Sequence, residues 1–263
     1  MLEIRRCLKP MRGGSQSHLV AVNGNFYVAK FAENPQGNRT LANERISDWL
    51  LQQLGISAAP TALLTISDQT IASNRLVFRC GKRVIPVRSG IHLGSLCPVD
   101  PNAKAIFDVL PVSLLPTVDN IDDIGFMFVF DIWVCQIDRR QLIFVRNPMP
   151  GSKLRFKCFA IDHGFAFSGS LWRLSEPFQY GRYFDLRAYK LLDMPRVCMQ
   201  AIDRIAMLSN ASILQALETI PREWLAISDY HILSDLLHRL DRRRERLPAL
   251  VDQQLVHLQG TGM

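Results

Sequence analysis

The chain has no Cys-x-x-C pair, and none of its histidines stands at metal-ligand spacing from its six scattered cysteines, Cys7, Cys80, Cys97, Cys135, Cys158 and Cys198. That argues against a zinc site and against a disulfide framework, and it reads the cysteines as reduced core residues. Long hydrophobic runs are also missing. The longest apolar stretch, Ile124 to Cys135, is broken by Asp131 and is too short to span a bilayer. The segment Met1-Leu2-Glu3-Ile4-Arg5-Arg6 lacks the apolar core of a signal peptide. The expectation is a cytoplasmic protein that does not enter a membrane. There is no repeat period and no low-complexity segment, which excludes solenoids and fibrous arrays. With 48% hydrophobic and 21% charged residues, disorder is expected only at the ends, such as the tail from Gln259 to Met263. Aromatic residues are absent from the basic cluster Arg239, Arg242, Arg243, Arg244 and Arg246. The cluster therefore reads as a solvated helix face, and nucleic-acid binding through it has weak support.

What is present points elsewhere. The net charge of +7 suggests anionic company, nucleotides included. A length of 263 residues suits two lobes sharing a cleft. Strand-like runs lie at Ile4 to Leu8, His18 to Val22 and Phe26 to Phe31, with Asn23-Gly24 as a hairpin signal. A helix is predicted from about Arg39 to Leu54, with Ala42, Ile46, Trp49 and Leu50 on one face and Gly55 as its stop. Strand-like runs follow at Ala62 to Ile66, Leu76 to Phe78 and Val84 to Val87. Beyond Asn102 the pattern is mainly helical. Asn120 with Asp123 resembles a capped start for an apolar helix, Ile121 to Cys135. Two strands, Leu142 to Arg146 and Leu154 to Ile161, are joined by a turn at Asn147 to Ser152. A last helix opens near Ser228 and meets Pro248, which should kink or end it. The class is α+β: a β-rich N-lobe over 1–95 and a larger helical C-lobe over 96–263.

Four features carry chemistry. Gly13-Gly14-Ser15 forms a glycine-rich turn between strands, and glycines let backbone amides approach phosphate oxygens. Lys30 stands near the end of the strand Phe26 to Phe31, on the same face as Val28, where a lysine either snorkels or meets an anion. Glu44 in the next helix could hold it, and a solvated carboxylate fits Glu44 equally well. Asp138, in Cys135-Gln136-Ile137-Asp138-Arg139-Arg140-Gln141, leaves the end of the apolar helix. In phosphoryl transfer an aspartate so placed orients a hydroxyl and accepts its proton; a surface ion pair is the plainer reading. Asp162 ends a hydrophobic strand before His163-Gly164 and could ligate Mg²⁺, although Asp-x-Gly is also common in turns. Each feature is ambiguous alone. In order, glycine turn, strand lysine, helix glutamate, loop aspartate and strand-end aspartate follow the sequence of a protein kinase.

Several segments resemble HipA-like kinase domain proteins. They are Asn34-Pro35-Gln36-Gly37-Asn38-Arg39-Thr40-Leu41-Ala42-Asn43-Glu44, Gly90-Ile91-His92-Leu93-Gly94-Ser95, Phe130-Asp131-Ile132-Trp133, Asp138-Arg139-Arg140-Gln141, Ile161-Asp162-His163-Gly164-Phe165-Ala166-Phe167 and Ile220-Pro221-Arg222-Glu223-Trp224. The resemblance runs from about Arg12 to Leu250. It implies a two-lobed protein-kinase-like fold related to HipA toxins and phosphatidylinositol kinases, using ATP and Mg²⁺ to phosphorylate a hydroxyl, a protein Ser or Thr being the expected acceptor. By position it makes Asp138 the catalytic base, Lys30 a phosphate contact and Asp162 a metal ligand. It also puts Gly90 to Ser95, with Gly90 and His92 among the nucleotide residues, near the interlobe connection where adenine stacks. The chain departs from the pattern at Ile143, where a second metal-binding asparagine is usual; Gln141 is the nearest side-chain oxygen. Gln136 and Arg139 stand where asparagine and glycine are expected. These departures motivate the alternative of a nucleotide-binding pseudokinase or interaction module. Asp131 and Trp133 read as scaffold, with Arg140 as the partner of the buried Asp131.

Overall fold

A computed structural model describes residues 1–147, 154–177 and 179–260, with 259 and 260 described by backbone only. The first strands form where β-branched and aromatic residues alternate between tight turns. They are β1 (Leu2–Glu3), β2 (Arg6–Pro10), β3 (His18–Val22) and β4 (Asn25–Lys30), the last three an antiparallel meander. The turn between β3 and β4 is Asn23-Gly24, with φ of 49° and 80°, the left-handed pair that a two-residue hairpin needs. Next comes α1 (Asn38–Leu54), which ends on Gly55 in the left-handed conformation, φ 65°.

β5 (Thr61–Ile66), α2 (Asp68–Asn74), β6 (Val77–Cys80), β7 (Arg83–Pro86) and β8 (Gly90–Leu96) follow. Periodicity does not foreshadow the short α2. It forms because Ser67 caps it, accepting from the Thr70 amide at 3.2 Å. The main sheet has the order β1-β5-β8-β4-β3-β2, and β6-β7 is a separate two-stranded piece. Residues 90–95 lie in the middle of the sheet, where β8, the last strand of that sheet in chain order, completes ladders with β4 on one side and β5 on the other.

The rest of the chain holds β9 (Ile106–Phe107), α3 (Asp122–Trp133), β10 (Gln141–Arg146), β11 (Phe156–Ile161), α4 (Met194–Met207), α5 (Asn210–Gln215), α6 (Ile227–Arg243) and α7 (Leu247–Gly260). β9, β10 and β11 make a three-stranded antiparallel sheet. Apolar on all sides, α3 is buried over nearly its whole length, as such a helix must be. Asn120 does not cap it. Its amide instead exchanges two hydrogen bonds of 2.9 Å with the backbone of Cys158 and reaches Asp123 at 2.7 Å, tying the helix start to β11. Pro248 is the second residue of α7, a position a proline tolerates, after α6 has already ended. Because α7 runs through Gly260, the first two residues of the anticipated frayed tail are helical; 261–263 lie outside the described residues, as does the turn after Asn147 as far as 153. Among the described residues no helix is long and apolar enough to cross a membrane.

The arginine cluster is not one solvated face. Arg243 is buried and donates to the Tyr180 hydroxyl at 2.8 Å and the Ile132 carbonyl at 3.3 Å. Arg244 donates to the Ala206 carbonyl at 3.3 Å and to the Leu208 carbonyl at 2.5 Å, neutralising the carbonyl end of α4.

Two apolar clusters hold the chain together. One lies on the main sheet and includes Ile4, Val20, Tyr27, Phe31, Leu64 and Phe78. The larger joins Leu41, Ile46 and Leu50 of α1 to α3, α4, α6 and α7. Thus α1 interrupts the strands in sequence yet packs into the core of the helical part. A polar residue on α1 can therefore reach both the sheet and the segments beyond β11.

Candidate functional site

Lys30 is the last residue of β4 and pairs with Leu93 in the ladder, so the two share a sheet face. Its ammonium does not snorkel. It donates to Glu44 Oε1 on α1 and to Asp162 Oδ1, the latter at 3.0 Å. The lysine and Glu44 are almost fully buried, while the Asp162 side chain keeps 35% of its exposure. Burial alone would lower the Lys30 ammonium, but the two carboxylates outweigh it and hold the group well above its ordinary value. Burial pushes Glu44 upward against the pull of Lys30. Asp162 also feels burial, yet Lys30 and the hydrogen bonds around it bring it down to about 2, so it is ionised at neutral pH.

The β10–β11 ladder brings the segments that carry Asp138 and Asp162 to one end of the hairpin. Gln141 opposes Ile161, so the loop carrying Asp138 and the turn carrying Asp162 leave the same end of the hairpin. Asp162 has φ 60°, a left-handed conformation uncommon outside glycine and typical of strained functional positions. Gln141 donates to Asp162 Oδ2 at 3.0 Å, closing the cluster. Ile143 is buried in β10 opposite Phe159 and offers no ligand.

The loop from 136 to 140 is held from below. Arg140 forms a two-point pair with the buried Asp131, at 2.9 and 2.5 Å, and donates to the Ile161 carbonyl at 2.9 Å. This is the partner anticipated for Asp131. A third contact runs from Arg140 to His163 Nδ1 at 3.1 Å. A guanidinium only donates, so Nδ1 accepts and the imidazole proton sits on Nε2. Burial and the Arg140 charge keep His163 neutral, far below its ordinary value. Gly181 lies against the loop: its amide donates to the Gln136 carbonyl at 2.7 Å, and a Cβ there would stand 2.6 Å from the Asp138 carbonyl. Only glycine fits. Asp138 itself is exposed, accepts from the Arg139 amide at 2.8 Å, and lines a cavity of about 470 Å³ together with Asp108, Gln141, Tyr183 and Phe184.

The glycine turn links β2 to β3. Gly13 has φ 126°, closed to side chains without strain, and a Cβ on the next residue, Gly14, would stand 2.8 Å from the Gln36 side chain in the loop before α1. Gln16 ties this turn to β6 with two bonds of 2.8 Å to the Arg79 backbone. The structure does not bring His92 to this face. Lying one residue from Leu93, it points to the side opposite Lys30, buried edge-on to Phe31 at 5.2 Å with Nδ1 accepting from the Ala32 amide at 2.9 Å. Gly90 begins the same strand opposite Ile66, three residues from the Lys30 pairing position.

Burial lowers His92 to about 4. A neutral buried histidine stabilises the fold above its unfolded value near 6.5, and that contribution is lost as pH falls toward 4. Acidification over this range should therefore destabilise the chain, and His92→Leu should remove up to roughly 3 kcal/mol of that pH dependence. Urea titrations at pH 7 and 4.5 check this. Equal pH dependence in both proteins would show that His92 is not held neutral.

Sequence reasoning overlooked Asn43. It is fully buried on α1 beside Glu44 and donates to the carbonyls of Gly164, Ala166 and Gly169 at 2.8, 2.9 and 3.1 Å. Its oxygen accepts from Trp172 Nε1 at 2.7 Å. The signal was its position: Asn43 stands three residues before Ile46 and seven before Leu50, on the apolar stripe.

Magnesium fits the donor set in one mode only. Among the described residues no group of three or more His, Cys, Asp or Glu could cage a metal ion. Mg²⁺ is commonly held by one or two carboxylates together with substrate phosphates and water, and the ionised Asp162 with the Gln141 amide suits that arrangement.

No known family profile matches the chain, and no curated protein matches it significantly. Among solved structures it is similar to the proinflammatory kinase CtkA of Helicobacter pylori. The TM-score is 0.53 at 14% identity, over 100% of this chain and 97% of the other. The likeness spans the whole chain and makes its fold kinase-like.

Proposed function

We propose that the chain is an ATP-dependent kinase of the HipA-like type, its sheet and helical parts acting as two lobes and its acceptor a hydroxyl, a Ser or Thr side chain of a protein. The observation that carries the reading is Lys30 bridging Glu44 of α1 and Asp162 at the end of β11. Two carboxylates on one ammonium keep it charged and aimed at the place where phosphates would lie. Asp162 and Gln141 would hold magnesium, which supplies neutralisation of charge on the phosphates. The backbone of Gly13, Gly14 and Ser15 would cover the phosphates. Asp138, at the wall of the cavity, would orient the acceptor hydroxyl and take its proton. Val28, only half-buried, shares the Lys30 face, with Leu19 beside it by ladder register, and would supply an apolar contact suited to adenine.

A second reading is favoured by Ile143. With a buried apolar side chain where a second metal ligand is usual, the site would bind nucleotide and turn over poorly. Two measurements separate the readings. Both expect ATP with Mg²⁺, at about 100 times its dissociation constant, to raise stability by roughly 2.7 kcal/mol. Only the kinase reading expects label from γ-labelled ATP to appear on a protein acceptor. No stabilisation with either Mg²⁺ or Mn²⁺ would contradict both.

A further inference from the structure

We propose that Asn43 and Trp172 form a clamp that fixes the chain following Asp162 to α1, so that the metal-side carboxylate and the glutamate partner of Lys30 are placed as one unit. The inference rests on the kinase reading and adds positioning residues to it. The clamp has three parts. Asn43 donates to three carbonyls spread over residues 164–169 and accepts from the Trp172 indole, so one amide closes the whole turn onto the helix. An amide nitrogen has two hydrogens, so one of them is shared between two of these carbonyls. Outside it, Arg39 of α1 lies over the Trp172 ring at 4.5 Å and donates to the Ser170 carbonyl at 2.9 Å. At the near end, a Cβ on Gly164 would sit 3.4 Å from Glu44 Oε1, so the turn after Asp162 packs directly on the glutamate.

The clamped stretch needs holding. Phe167, Ser168 and Trp172 all have left-handed φ, between 51° and 59°, and Gly169 has φ 67°. Non-glycine residues in that region are strained and persist only where their surroundings over-determine them. The Asn43 amide is such a surrounding. Asn43 and Glu44 are adjacent on α1, and Gly164 follows Asp162 by two residues. A shift of the turn therefore moves Asp162 relative to Lys30.

Trp172→Phe tests the clamp, because it removes the indole donor, together with part of the ring volume, and leaves Asn43 its carbonyl partners. Trp224→Phe is the matched control: Trp224 is also buried and also spends its indole N–H on one acceptor, the Ile91 carbonyl at 2.8 Å. Thermal stabilisation by a non-hydrolysable ATP analogue is titrated against Mg²⁺ in both variants. Trp172→Phe is expected to raise half-saturating Mg²⁺ roughly three- to tenfold, as loss of one positioning hydrogen bond implies, while Trp224→Phe leaves it unchanged. Amide hydrogen exchange over 163–172 should quicken in Trp172→Phe alone, with no nucleotide present. Equal behaviour of the two variants in both measurements would overturn the clamp while leaving the kinase reading intact. Wild-type protein that ignores the nucleotide would overturn the kinase reading and the metal half of the inference; hydrogen exchange would still decide whether the clamp holds the turn.

Discussion

Asp138→Asn should lower phosphoryl transfer by about 10²–10⁴-fold, the usual range for removal of a positioned base, with little change in nucleotide affinity. Asp138 is exposed, and the contact that fixes it, from the Arg139 amide, is one an asparagine oxygen can still accept. The fold beneath it depends on other groups: the Asp131–Arg140 pair and the close approach of Gly181. The variant should thus melt like wild type and bind a non-hydrolysable nucleotide like wild type. A loss smaller than tenfold in single-turnover transfer would remove Asp138 from the role of base.

Lys30→Met should have the largest effect on stability. Glu44 is buried, and Lys30 is the cation that compensates it. Removing one partner of a buried ion pair typically costs about 3–5 kcal/mol, since the other charge is left uncompensated in a poorly solvated place. In the variant Glu44 should take up a proton. Its folded value then lies above its unfolded value near 4.3, so this stabilisation is present at low pH and is lost as pH rises through the folded value. Urea unfolding should find Lys30→Met closest to wild type near pH 5 and furthest from it near pH 8. Adding Glu44→Leu should recover much of the deficit, because it removes the buried orphan carboxylate and leaves only Asp162, which keeps 35% of its exposure and the Gln141 hydrogen bond. A deficit below about 1 kcal/mol at pH 8 would show that the pair is not buried as described.

Much of the arrangement could be read from the residues because local rules decided it. The Asn23-Gly24 hairpin, the Gly55 stop and the strand from His18 to Val22 depend on φ preferences and alternation that neighbouring residues settle among themselves. The Lys30–Glu44 contact was also legible, as one lysine at the end of an apolar strand face and one glutamate in the next helix. Less legible was anything set by which strand lies beside which. The resemblance put His92 among the nucleotide residues; it lies instead on the far face of a central strand. Sheet order and ladder register decide that, and neither shows in the run itself. The arginines after Arg239 looked like one polar face, but Arg243 turns inward to the Tyr180 hydroxyl and the Ile132 carbonyl, partners more than 60 residues away. Asn43 was hidden for the same reason: its three carbonyls come from a turn more than 120 residues later.

A crystal structure of the chain with a non-hydrolysable ATP analogue and Mg²⁺ tests the central claim most directly. The prediction is a triphosphate on the Lys30 ammonium beneath the Gly13-Gly14 turn, with the metal ion touching Asp162 and the Gln141 amide turned to offer its oxygen. Density for the nucleotide elsewhere, with Lys30, Glu44 and Asp162 still joined and unvisited, would contradict the account.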